Sequence, residues 1–136
     1  MRLFPGTRPA NLGARKGKLA PPPSTPNAVS SQADPVRDPG HAIAPLSCDG
    51  DPAGAWKRLI RLVDGLQGTK IVTRSEGYLH AECESRLLGF VDDLECLLDA
   101  KAGVIHVRSA ARLGVSDLGV NRARVETLRA QLGARS

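Results

Sequence analysis

Residues 104–122 read VIHVRSAARLGVSDLGVNR, and this stretch decides the fold. Val104 to Ser109 alternates apolar and polar side chains, which is the period of a half-buried strand. Gly114 and Gly119 then punctuate a loop, and Asn121 stands where a side chain can cap a closing helix. Beyond it Val125, Leu128 and Leu132 recur at helical spacing up to Gly133.

Upstream, the same period of two continues. Strands are predicted over residues 70–74, 78–85, 90–98 and 104–109, broken by SEG, RLLG and DAKAG. Connections this short allow only antiparallel neighbours, so the sheet should be a meander. Facing residues share a side of the sheet. Ile71, Thr73, Leu79, Ala81, Cys83, Phe90, Leu94, Cys96, Leu98, Ile105 and Val107 are expected inward. The outer face then carries one row of His80, Glu95 and Arg108, and a second of Lys70, Glu82 and Asp93. Asp92 breaks the alternation, lying inward beside Cys83. A carboxylate facing a core needs a donor, expected from the leader or from the closing loop.

Before the sheet, Asp51-Pro52 is a helix start: an N-cap carboxylate followed by a proline at the first helical position. Trp56, Leu59, Ile60 and Val63 form the apolar stripe, and Gly65 and Gly68 end the helix. The fold class is therefore α+β: a four-stranded antiparallel meander with two helices packed on one face. All ten prolines lie at or before Pro52. Residues 1–50 are read as an extended proline-rich leader, packed on the domain or partly disordered, and residues 51–136 as the compact domain. HAIAPL, at residues 41–46, is expected to dock as an edge strand or lie in a groove.

Charge is unevenly spread. Residues 1–20 hold five basic and no acidic side chains, residues 21–100 seven basic and twelve acidic, and residues 101–136 seven basic and two acidic. Basic ends around an acidic middle favour attraction within the chain as much as an anionic partner. The four aromatics, Phe4, Trp56, Tyr78 and Phe90, make no stacking platform, which argues against nucleic acid. Cys48, Cys83 and Cys96 are odd in number and lack CxxC spacing, so free thiols in a reducing compartment are expected. No apolar run is long enough for a signal peptide or a transmembrane segment, and a cytoplasmic location is the expectation.

Six segments occur together in order: RPANLG (8–13), PNAVSSQ (26–32), HAIAPL (41–46), YLHAE (78–82), GFVDDLE (89–95) and VRSAARLGVSDLGVNRARVE (107–126). The set resembles the domain of unknown function 1499 family over nearly the whole chain. The resemblance implies that the leader packs against the sheet or closes over the Arg108 loop. Relatives commonly carry cysteines where this chain has Pro22 and Ala28, so thiol chemistry suggested for them cannot operate here. Many relatives also begin with a membrane or lipoprotein signal.

Arg108, Ser109, Arg112, Ser116, Asn121 and Arg122 converge on a strand end and a helix start, where backbone N–H groups and guanidinium forks favour an anion. The functional reading is a non-catalytic binding module with an anion-favouring pocket at this junction, for a small anionic ligand or an acidic head group. Ser30 and Ser31 of PNAVSSQ would lid it, with Asp92 and Asp117 alongside. The plainer expectation pairs Arg108 with Glu95 and Arg112 with Asp92, and lets Asp117 cap a turn. A protein partner on an exposed sheet face is the alternative, and an enzyme using His80, Asp92 and Arg112 the second. The balance is against catalysis. Ser30 or Ser31 with His41 or His80 lacks a nucleophile elbow, and the Gly114–Gly119 spacing lacks a nucleotide-loop ending. His80, Glu82, Glu95 and His106 offer metal-ligand chemistry on one face, but Arg108 and Lys70 compete for the carboxylates. No metal or cofactor is expected.

Overall fold

The computed structural model describes residues 4–85, 89–114 and 118–134. The element order is β1 (Ala28–Ser30), β2 (Leu46–Ser47), α1 (Pro52–Gly65), β3 (Thr69–Ser75), β4 (Tyr78–Glu84), β5 (Val91–Asp99), β6 (Val104–Ala111) and α2 (Val120–Gly133). The architecture is α+β with an antiparallel sheet. It has six strands instead of the four expected, in the order β1-β6-β5-β4-β3, with β2 also paired to β6.

The two extra strands share one edge of β6. β1 pairs Ala28 with Ala110 and Ser30 with Arg108, while β2 pairs Leu46 with Ile105. Ser31 fills the gap between them. Its backbone N–H donates to Val107 O at 2.9 Å, and its Oγ accepts from Val107 N at 2.8 Å. β6 is therefore an interior strand whose edge is satisfied by the leader. Strands this short carry no readable period; of HAIAPL, expected as an edge strand or in a groove, Leu46 begins β2 and Ala42 bridges Ser30.

The meander register matches expectation along β4, β5 and β6. His80 stands opposite Glu95 and Glu95 opposite Arg108; Lys70 stands opposite Glu82 and Glu82 opposite Asp93. Two positions depart from the expected faces. A bulge between Ile71 and Thr73 shifts β3 by one residue, so Thr73 pairs with His80 on the polar face. Phe90 lies ahead of β5, 38% exposed, and stacks on Phe4 with ring centroids 5.1 Å apart.

One face of the sheet packs on both helices. Leu79, Ala81, Leu94, Cys96, Ile105 and Val107 meet Ala55, Leu59 and Val63 of α1 and Val125, Leu128 and Leu132 of α2 in a single core. Asp51 caps α1 as predicted, its Oδ1 accepting from Gly54 N at 3.1 Å. α2 starts differently: Gly119 occupies the N-cap position in the left-handed region, and no capping side chain is found among the described residues. Asn121 is instead fully buried against the sheet. All three cysteines are free and buried, and burial pushes the thiol of Cys96 up.

The second face was expected to be exposed, and its centre is covered. His80, Glu82, Asp93, Glu95 and Arg108 on that face are all buried. The leader runs across them as a strap, with Arg8 donating to Glu82 and the Gly13 N–H to Glu95. Charges facing away from the helices do not require solvent when opposite charges lie within reach. Here they pair with one another beneath a covering segment.

Candidate functional site

Strand parity places Tyr78, His80 and Glu82 of β4, Asp93 and Glu95 of β5 and Arg108 of β6 on the strapped face. Arg112, just past the end of β6, reaches back over them. Its Nε donates to Asp93 Oδ2 at 2.8 Å, and its Nη2 to Asp93 Oδ1 at 2.8 Å and Glu82 Oε2 at 2.6 Å. Glu82 Oε2 also takes Arg8 Nη2 at 2.7 Å, and His80 Nε2 meets Asp93 Oδ1 at 2.7 Å. Tyr78 OH and the Gly13 N–H both donate to Glu95 Oε2. Arg108 lies 3.8 Å from Glu95 Oε1 and donates to Pro21 O at 3.1 Å.

Three carboxylates (Glu82, Asp93 and Glu95) thus meet three guanidiniums (Arg8, Arg108 and Arg112). Among the described residues these charges balance, as suits buried ion pairs. Burial alone would raise the carboxyls of Asp93 and Glu82. The hydrogen bonds from Arg112, with His80 on Asp93 and Arg8 on Glu82, outweigh burial and hold both below the usual carboxylate range. Burial acts unopposed enough on Arg108 to lower it, whereas Arg112 is raised by its bond to Asp93.

His80, Glu82 and Asp93 have ligand atoms within 4.8 Å of one another, a spacing that suits a divalent metal. Arg112 Nη2 already bonds both carboxylates from between them, so a guanidinium supplies the positive charge a metal would. The residues do not fit a resident ion without displacing Arg112.

A testable consequence follows from the two lowered carboxyls. Their folded values lie below the unfolded ones, so the stability they contribute is complete above about pH 4–5, the unfolded carboxylate range. It should be lost as pH falls through about 4 towards the folded values. Urea midpoints measured from neutral pH down to pH 3 should be flat at first and then fall.

Pairing of Arg112 with Asp92 is not what occurs. Asp92 sits opposite Cys83 on the helix-packed face, as its parity indicated, and its partner is Arg124 of α2 at 3.0 Å. Arg124 also donates to Asn121 Oδ1 at 2.7 Å and Ser109 Oγ at 3.1 Å. Ser109 Oγ donates to Asn121 Oδ1 at 2.6 Å, and Asn121 Nδ2 to Asn27 O at 3.2 Å. Asp92, Ser109 and Asn121 thus gather on one face of the sheet, and Arg108 and Arg112 on the other. The grouping of His80, Asp92 and Arg112 is split by the same sheet.

The remaining expected residues are dispersed. Ser30 and Ser31 belong to the β6 edge and form no lid, and Ser31 Oγ also meets His106 Nδ1 at 3.1 Å. Arg122 donates to Gly40 O at 3.2 Å. Ser116 and Asp117 lie outside the described residues.

Next to the Asp92–Arg124 pair is a cavity of about 360 Å³ at the strand-loop-helix junction, walled by Phe90, Val91, Leu113, Leu118 and Val120. A second cleft, of about 320 Å³, opens between the strap and strands β3 and β4, with His80 and Tyr78 in its wall. Sequence reasoning passed over Arg8, Asp93 and Arg124 as site residues. Arg8 had a signal in the RPANLG segment, and Asp93 in its parity opposite Glu82.

The family described as protein of unknown function (DUF1499) matches residues 18–132. This chain belongs to it. The match spans α1, α2 as far as Leu132, the strands among the described residues and the cluster residues of the sheet, whereas Arg8 and Gly13 of the strap precede it. No curated protein and no solved structure matches the chain. Among the described residues, no helix is long and apolar enough to cross a membrane.

Proposed function

We propose that the domain is a non-catalytic binding module whose ligand occupies the junction cavity beside β5, β6 and the start of α2. One observation carries this. The exposed large hydrophobics among the described residues are Phe4, Val36, Phe90, Leu113, Leu118 and Val120, and four of them line this one cavity. A fifth, Phe4, stacks on Phe90 at its rim. Apolar side chains gathered at one exposed concavity mark a binding surface more than scattered ones do. The volume sits at the low end of the roughly 300–1,000 Å³ of small-molecule pockets.

The guanidiniums refine the ligand class. Arg108 and Arg112 are spent on Glu95, Asp93 and Glu82, on the opposite face. At the cavity, Arg124 is paired with Asp92. The site therefore presents apolar walls over a donor-acceptor floor. That favours an amphipathic molecule with an apolar body and one polar end over a free inorganic anion.

Anilinonaphthalene sulfonate, an apolar ring system carrying one anionic group, is a suitable first probe. Its fluorescence should rise saturably with the native chain, and Leu113→Glu, a partly exposed wall position, should weaken binding at least about tenfold. Equal binding by the native chain and the variant, or no binding to the native chain, would remove the cavity from consideration.

A further inference from the structure

The cleft under the strap lies on the other face of the sheet from the junction cavity and has different chemistry. Its wall includes Arg8, Leu12, Val72, Thr73, Tyr78 and His80. The bulge in β3 is what brings Val72 and Thr73 there. His80 is 2% exposed, and its Nε2 is held by Asp93 at 2.7 Å. An ionised carboxylate only accepts, so Nε2 carries a proton, and in the neutral ring Nδ1 keeps its lone pair. Nδ1 makes no hydrogen bond among the described residues, although the ring forms part of the cleft wall. A ring nitrogen without a hydrogen bond, on an imidazole in a cleft wall held in one orientation by Asp93, is a group prepared for a ligand donor.

Arg8 supplies the complementary charge. Its Nε and Nη2 face Glu82 at 2.8 and 2.7 Å, yet its side chain is 55% exposed and borders the cleft. Both of these contacts of Arg8 fall on the one oxygen Glu82 Oε2, which Arg112 shares at 2.6 Å. A guanidinium fork with a free edge binds carboxylate oxygens well. The remaining walls, Leu12 and Val72 among them, are apolar.

We propose that this cleft binds a small carboxylic acid bearing a hydroxyl or ammonium group beside the carboxylate, with Arg8 holding the carboxylate and His80 Nδ1 accepting from the donor. Asp93 is a positioning residue, fixing the imidazole and its tautomer from behind.

Imidazole nitrogen NMR on the full chain tests this directly, because only His41, His80 and His106 contribute signals, and His80→Gln assigns the one of interest. Glycolate should move the His80 Nδ1 resonance saturably. Acetate, which has the carboxylate without the donor, should bind several-fold more weakly, and chloride at matched ionic strength should leave the resonance in place. Arg8→Gln should weaken glycolate about tenfold, the loss of one charge-assisted hydrogen bond. The proposal is overturned if glycolate leaves His80 unmoved, if acetate binds as tightly as glycolate, or if chloride reproduces the shift. Should Arg8→Gln fail to fold, the glycolate and acetate titrations of the native chain decide the matter alone.

Discussion

Arg112→Met should lower the unfolding free energy by about 3–5 kcal/mol, the range for breaking a buried ion pair by removing one partner. The reason is geometric. Arg112 bonds both Glu82 and Asp93, at 2.6 and 2.8 Å, and both carboxylates are buried. Without it, Glu82 loses its 2.6 Å contact and Asp93 its two-point contact, while His80 stays on Asp93 and the partly exposed Arg8 on Glu82. For a chain of this length the melting temperature should fall by roughly 10–20 °C. Neutralising the partners reverses the logic. Adding Glu82→Gln and Asp93→Asn to Arg112→Met should recover a large part of the loss, because the uncompensated charge is gone. A cost for Arg112→Met below about 1 kcal/mol would mean that the cluster behaves as a solvated surface pair and that the strap does not seal it.

Leu94→Ala provides the matching case on the opposite face. Leu94 is completely buried in β5, between Ala81 of β4 and Ser109 of β6, within the core beneath the helices. Its truncation removes apolar contact and leaves a cavity, at a cost of about 2–5 kcal/mol. The two substitutions have similar magnitudes and different dependences. The Leu94→Ala deficit should stay constant from neutral pH to about pH 4. The Arg112→Met deficit should shrink as acid protonates the carboxylates that it leaves stranded. Denaturant titrations of both variants across this pH range separate the two origins of stability. A Leu94→Ala deficit that shrank in acid along with the other would show that the two faces are not energetically independent.

Much of this architecture is legible in the residues themselves. Asp51-Pro52 and the stripe of Trp56, Leu59, Ile60 and Val63 define α1, because capping and period are local signals. The register of β4 to β6 follows from alternation and short turns, which is why the His80–Glu95–Arg108 row is found as expected. What local pattern cannot carry is long-range pairing. Strands β1 and β2 exist because β6 has an edge to satisfy; near Leu46 only HAIAPL hints at an edge strand, and nothing near Val29 announces one. The bulge at β3 reverses the parity of Thr73 without any glycine to mark it. Asn121 has the chemistry of a cap but lies buried, where Ser109 and Arg124 offer it bonds that solvent cannot. Asp92 and Asp93 show both outcomes: parity correctly sends them to opposite faces, yet their arginines come from segments whose placement no spacing encodes.

The edge of β6 also sets an order of assembly. Ser30 must wait for Arg108, and Leu46 for Ile105, so the first two strands of the chain have no sheet to join until the last strand has been made. A ribosome releases the proline-rich segment first and its docking surface last. The meander, whose contacts are all between neighbours in sequence, is the part that can form early. The strap and the β6 edge then close around it as the final event. The leader's composition suits that delay: a segment rich in proline, with few apolar residues in a row, stays soluble and unpaired until its partner arrives.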